Sequence, residues 1–196
     1  GTGAGEFFTP RPVVRLITRL LDPQSEESVY DPACGSGGML IEACNTVKEH
    51  GGDPRTLTLR GQEKNMTTQA IARMNLYIHN QPEHKIIHDN TLLDPGNRRP
   101  DNTFEQYDVV IANPPFSVED WGRESWDDDP RIIGDLAPNS YADFAFMQHM
   151  ITSMKPKTGR IGVVMPHGIL FRGHAEKRIR TEILKRDLIE AVIGMP

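Results

Sequence analysis

Asn113-Pro114-Pro115-Phe116 brings an amide oxygen, a peptide carbonyl and an aromatic ring together within four residues. Such a set can hold a planar amino group by its hydrogens while the ring stacks on its plane. Pro115 keeps the Pro114 peptide extended, which leaves that carbonyl free for a donor from outside the chain. Just before it, Tyr107-Asp108-Val109-Val110-Ile111-Ala112 is the short, apolar, β-branched run expected of a strand buried in a parallel sheet. Two consecutive prolines end the ladder, because neither can donate a backbone hydrogen bond. Asn113 therefore stands at the carboxyl end of a central strand, where open α/β sheets bind ligands. Taken alone, the four residues also read as a Pro-terminated strand with a core Phe, so the rest of the chain has to decide.

Acids end three further strands. Ser28-Val29-Tyr30 leads into Asp31 and a glycine-rich turn, Pro32-Ala33-Cys34-Gly35-Ser36-Gly37-Gly38, ahead of a helix with Met39, Leu40, Ala43 and Val47 on its apolar face. Glycines permit positive φ and close approach of a ligand to the backbone. The turn is not a phosphate-binding Walker loop, since no Gly-Lys-Ser/Thr follows, and Leu40 occupies the third glycine position of the dinucleotide fingerprint. A carboxylate at this mouth would repel a pyrophosphate and attract an ammonium group. Glu63 ends the strand Leu57–Glu63 and suits ribose hydroxyls. Asp89 follows the strand Lys85-Ile86-Ile87-His88 and is placed to accept from an adenine amino group. Three acids along one sheet edge point to a pocket for a neutral or cationic adenosine ligand.

The elements that position these residues follow from punctuation and periodicity. Thr9 as N-cap and Pro10 at the first helical position predict a helix through Val13, Val14, Ile17, Leu20 and Leu21, stopped at Asp22-Pro23. Asn65 is expected to cap a helix with Ala70, Ile71, Met74 and Ile78 on its buried face. Residues 117–138 form a long polar segment holding Trp121 and Trp126, with six acids between Glu119 and Asp129. It reads as a solvated surface loop with one or two anchoring aromatics, which as a unit could close over a substrate beside Phe116. A helix over 139–154 with Phe144, Met147, Ile151 and Met154 at core spacing precedes a fifth strand over 159–166. Arg172 to Arg186 is a basic helix, read as a solvated face, and Leu188 to Gly194 is strand-like. The chain is thus an α/β unit with a mostly parallel sheet.

Composition narrows the function classes. The chain has 196 residues, 37% hydrophobic and 25% charged, enough for one α/β domain with a full core. A net charge of −5 argues against a self-sufficient nucleic-acid binder, so with DNA as substrate a partner or further segment must supply positive field. Cys34 and Cys44 suggest no oxidised scaffold and fit a reducing cytoplasm. Both read as small buried residues. No secretory peptide or apolar run of membrane length occurs, and no membrane partner is expected. The seven histidines lack metal-ligand spacing, and no metal is assigned. A Gly at residue 1 and an end at Pro196, directly after a strand-like run, read as an excerpt of a longer polypeptide.

These residues resemble one family, the modification (M) subunits of type I restriction–modification systems, which are adenine DNA methyltransferases. Gly5-Glu6-Phe7-Phe8-Thr9-Pro10, Asp31 to Gly38, Gly61-Gln62-Glu63, Asp89, Asn113 to Phe116, Tyr141-Ala142-Asp143-Phe144-Ala145-Phe146 and Gly159 to Gly173 match its motifs in order. The resemblance implies a Rossmann-like S-adenosylmethionine-dependent methyltransferase sheet over residues 1–196, helices on both faces, truncated at both ends: the family's N-terminal helical region and last, antiparallel strand are expected to be absent. It implies Phe8, Thr9, Pro10, Asp31, Ala33, Gly35, Ser36, Gly37, Glu63, Asp89 and Asn113 as cofactor-binding residues, and Asn113, Pro114, Pro115 and Phe116 as catalytic. It also implies N6-methyladenine as product, DNA with a flipped-out target adenine as substrate, and specificity and restriction subunits as partners. Asn-Pro-Pro-aromatic suits any planar amino group. A methyltransferase acting on a protein glutamine or an RNA guanine, and a non-catalytic assembly subunit that keeps the cofactor site, therefore stay open.

Overall fold

The computed structural model describes residues 8–195. Five strands, β1 (Ser28–Asp31), β2 (Thr58–Glu63), β3 (His84–His88), β4 (Val109–Ala112) and β5 (Arg160–Val163), form one sheet in the order β3-β2-β1-β4-β5. Every pairing is parallel. Chain order reverses between β1 and β4, so the switch-point crevice of an open α/β sheet lies between the ends of those two strands.

The strands alternate between two cores. Val29, Val109 and Ile111 face helices α1 (Arg11–Leu21), α2 (Gly38–Glu49) and α3 (Met66–Ile78), whose Val14, Leu21, Leu40, Val47, Ala72 and Leu76 share one cluster. Tyr30, Val110 and Ala112 face the other side, where Met150 of α4 (Asp143–Thr152) packs. α5 (His174–Lys185) adds Ile179 and Ile183 to a third cluster there. Among the described residues no helix is long and apolar enough to cross a membrane.

Several expectations need correction. Thr9 does not cap α1: Pro10 is the N-cap, its carbonyl accepts from Val13 and Val14, and Pro12 lies in the first turn. Leu20 is exposed, while Thr18 is buried with its hydroxyl donating to the Val14 carbonyl. Asp22 ends the helix in the left-handed conformation, at the expected place. Asn65 caps α3 as expected, accepting from the Thr68 N–H, but the helix presents the opposite face to the sheet. Thr68, Ala72 and Leu76 are buried, while Ala70, Ile71, Met74 and Ile78 are exposed. Ala72 and Leu76 join the core cluster beside β1 and β4, and Ala72 packs against the Gly37 turn.

α4 is buried on most of its circumference, with Phe146, Gln148, His149 and Met150 inside beside Phe144, while Met147, Ile151 and Met154 are only partly buried. Leu188 to Gly194 is exposed and forms no strand. A strand needs a neighbour, and the ladder of the described residues ends at β5.

The segment over 117–138 departs most from expectation. Trp121 and Trp126 are both buried and meet edge to face at 5.2 Å. Their indole N–H groups donate to the Pro138 and Leu92 carbonyls. Arg131, also buried, lies 3.9 Å over the Trp126 ring and donates to Asp129 and to the Thr91 and Leu92 carbonyls. It also reaches His149 Nδ1 at 3.3 Å and lies 5.4 Å from the Phe104 ring centre. Burial first, then the Arg131 charge, hold His149 well below its ordinary value. Its ring is neutral, Nδ1 accepts from the guanidinium, and Nε2 donates to the Tyr30 hydroxyl at 2.9 Å. Only the other five acids of the run are exposed. The segment is a packed layer bolted to β1 and α4.

Candidate functional site

Asp31 and Asn113 stand on the two sides of the switch point, one at the end of β1 and the other just past β4. Asp31 is almost wholly buried, and its Oδ1 accepts only the Ala33 N–H, at 3.0 Å. Burial pushes its carboxyl up to about 7, with the charge of Glu63 adding to the effect against the Ala33 bond. No ion pair compensates it among the described residues. A buried carboxylate with no cation is a charge waiting for one.

The glycine turn is shaped by the strands beside it. Cys34 N–H donates to the Gln62 carbonyl, and Gly37 N–H to the Cys34 carbonyl. Gly35 and Gly37 have φ of 52° and 85°, which an L side chain rarely adopts, and a Cβ at Gly35 would meet nothing within 4 Å. Glu63 Oε2 accepts the Gly35 N–H at 3.0 Å, while Oε1 accepts the Asn65 N–H at 2.8 Å. Asn75 donates to the Ser36 carbonyl. Glu63 thus fixes the turn and keeps lone pairs for further donors. Asp89, exposed at the end of β3, accepts the Asn90 N–H. Cys34 and Cys44 are buried, and burial raises both thiols, Cys44 to about 12. Neither is a nucleophile.

On the other side, Asn113 Nδ2 donates to Thr9 Oγ1 at 2.8 Å. That bond sets the amide, and among the described residues nothing donates to Asn113 Oδ1 or to the Pro114 carbonyl. Phe116 follows with 42% of its surface exposed. The structure therefore brings Thr9 to Asn113, and Asp31, Gly35 and Glu63 to one another across the turn. Phe8 is 79% exposed; Pro10 serves as helix cap, and Gly5, Glu6 and Phe7 lie outside the described residues. Two residues near the site lie in stretches matched to the family's motifs but received no role from the sequence: Asp143, which accepts the Ser117 N–H, and Arg172, which pairs with Asp143. The visible signal was a lone acid among Ala142, Phe144, Ala145 and Phe146.

The comparisons with known proteins bear on this site. The family model for N-6 DNA methylases matches residues 1–196. The chain belongs to the N-6 DNA methylase family. The chain is 38% identical to the type I restriction enzyme MjaVII methylase subunit of Methanocaldococcus jannaschii, over 98% of this chain and 33% of that protein. It is 34% identical to the HindI methylase subunit of Haemophilus influenzae, over 100% of this chain and 43% of that protein. The crystal structure of a type I restriction-modification methyltransferase subunit from Streptococcus thermophilus superposes with a TM-score of 0.82 at 36% identity, covering 92% of this chain and 39% of that one. The chain thus spans about a third to just under half of the length of these relatives. The Rossmann-like methyltransferase fold expected from the sequence is borne out.

Proposed function

We propose that this unit transfers a methyl group from S-adenosylmethionine to N6 of adenine in DNA, as the catalytic part of a type I modification subunit. The observation that carries the reading is a pair of acceptors without a donor among the described residues, Asn113 Oδ1 and the Pro114 carbonyl, beside an exposed ring at the switch point. The residues present fit the cofactor. Asp31 offers a buried, uncompensated carboxylate to an ammonium group; Ala33, Gly35, Ser36 and Gly37 give a turn whose backbone can be approached; Glu63 and Asp89 supply acceptors for ribose hydroxyls and an adenine amino group. Phe8, Thr9 and Pro10 would flank the same cofactor. When bound, S-adenosylmethionine supplies an electrophilic methyl group on a sulfonium sulfur.

The chain's own residues do the rest by position. The target base must leave the duplex, because its amino group cannot be reached inside the stack. Phe116 stacks on the flipped adenine, and Asn113 Oδ1 and the Pro114 carbonyl each accept one amino hydrogen. These bonds draw N6 towards a tetrahedral shape and localise its lone pair. They strengthen as positive charge develops on the nitrogen, so they favour the transition state over the bound base. Once N6 carries the methyl group it is cationic, and one of its two original protons leaves along one of these bonds to water. No covalent enzyme intermediate is needed.

The net charge of −5 supports a partner that supplies positive field and picks the DNA site, in the manner of a specificity subunit, with a restriction subunit completing the assembly. The two unpaired cysteines support a cytoplasmic setting. The test is nucleoside mass spectrometry after the full-length protein and its DNA-selecting partner act on DNA with labelled cofactor. Label in N6-methyladenine is the expected result. Label in guanine, in a protein glutamine, or nowhere overturns the proposal.

A further inference from the structure

Three segments far apart in sequence meet behind Phe116. Ser117, the next residue, has φ 53°, a conformation that non-glycine residues hold only when their surroundings impose it. Its N–H donates to Asp143 Oδ1 at 2.8 Å, and Asp143 Oδ2 accepts Arg172 Nη2 at 2.6 Å. Arg172 also grips Glu176 through Nε at 2.7 Å and Nη2 at 3.0 Å, and its guanidinium lies 4.3 Å over the Tyr141 ring. Arg180 Nη1 donates to the Ile169 and Arg172 carbonyls, fixing the chain that carries Arg172. Asp143 is 1% exposed and Glu176 2%.

Two buried carboxylates on one guanidinium are a costly way to fasten a helix; apolar residues of the same volume would hold it as well or better. What the charges add is direction. The acceptor is aimed at the peptide N–H that directly follows Phe116. We propose that Asp143, Arg172 and Glu176 are positioning residues that hold the Asn113–Phe116 turn in the geometry required by the target base. The inference rests on the function proposed above, since it takes Asn113 and Phe116 to engage the acceptor amino group.

The test uses the full-length protein with its DNA-selecting partner and compares Asp143→Ala, Asp143→Asn and Arg172→Lys with Asn113→Ala. Asp143→Ala is expected to lower the single-turnover methylation rate on the order of 100-fold, the cost of misplacing a reacting group by about 1 Å. Calorimetry should show S-adenosylmethionine affinity unchanged. Asp143→Asn, which keeps an oxygen for the Ser117 N–H, should recover part of the rate; Arg172→Lys, which loses the fork, should fall between. A parental rate in Asp143→Ala overturns the inference. So does a parallel fall in rate, cofactor affinity and thermal midpoint with no recovery in Asp143→Asn, which would mark general support of the fold. If the alanine variant fails to fold, the asparagine and lysine variants decide by the same criteria. Full activity in Asn113→Ala would instead remove the function reading itself.

Discussion

Replacing Asp31 by Asn should make the protein more stable and a worse cofactor binder at the same time. Burial raises this carboxyl from 3.8 to about 7, with Glu63 adding to the effect and the Ala33 N–H opposing it. A raised carboxyl binds its proton more tightly in the folded state than in the unfolded one. The stability it contributes is therefore complete below pH 3.8 and is lost as pH climbs through about 7. At about 1.4 kcal/mol per pH unit, ionised Asp31 costs the ligand-free fold about 4 kcal/mol above neutrality. Asparagine keeps the oxygen that accepts from Ala33 and removes the charge. Its thermal midpoint at pH 8 should exceed the parent's by roughly 10 °C, at about 2–4 °C per kcal/mol for a unit of this size, and the gap should close near pH 4. Calorimetry with S-adenosylmethionine should show weaker binding to the variant at pH 8. The parent's affinity should fall about tenfold per pH unit below neutrality, a slope the variant should lack. A variant no more stable than the parent at pH 8, or one that binds the cofactor equally well, would refute the placement of a bare carboxylate there.

Further perturbations separate scaffold from site. Arg131→Met should cost about 3 kcal/mol or more of stability, read as a marked fall in the thermal midpoint, because the Thr91 carbonyl loses its guanidinium donor, the Leu92 carbonyl is left with the Trp126 indole, and Asp129 is left with Arg98 and the backbone N–H of residue 131; an unchanged melt would contradict the packed-layer view of residues 117–138. Phe116→Ala should leave the melt intact, since the ring is half exposed, yet weaken capture of the flipped base by about 1–3 kcal/mol. Fluorescence of a 2-aminopurine target reads that loss, and Phe116→Trp should restore it.

How much was legible in the sequence varies with distance along the chain. The end of β4 was readable because Val109–Ala112 is an unbroken apolar run halted by Pro114-Pro115, and Asp31, Glu63 and Asp89 were readable because each closes a short strand pattern ahead of a glycine turn or an Asn. The Asn65 cap and the α2 stripe were equally local. The buried face of α3 was not, because Ile71, Met74 and Ile78 make the more apolar side, while Thr68, Ala72 and Leu76 are the residues that face the sheet. Residues 117–138 misled because their acids dominate the composition, while the core they build needs Leu92 and His149 from elsewhere. Thr9 is a plausible cap by local rules; its hydroxyl is engaged by Asn113, a partner 104 residues away. Asp143 and Arg172 stayed hidden for the same reason.

The most direct measurement is on Asn113→Ala, with methyl transfer and cofactor binding determined separately. The amide oxygen is the feature no other side chain duplicates. Single-turnover transfer should collapse by about a hundredfold or more, as when a donor or acceptor aimed at transition-state charge is removed, while S-adenosylmethionine binds as it does to the parent. Transfer at the parental rate would contradict the account, because the nitrogen would then need no grip from this residue.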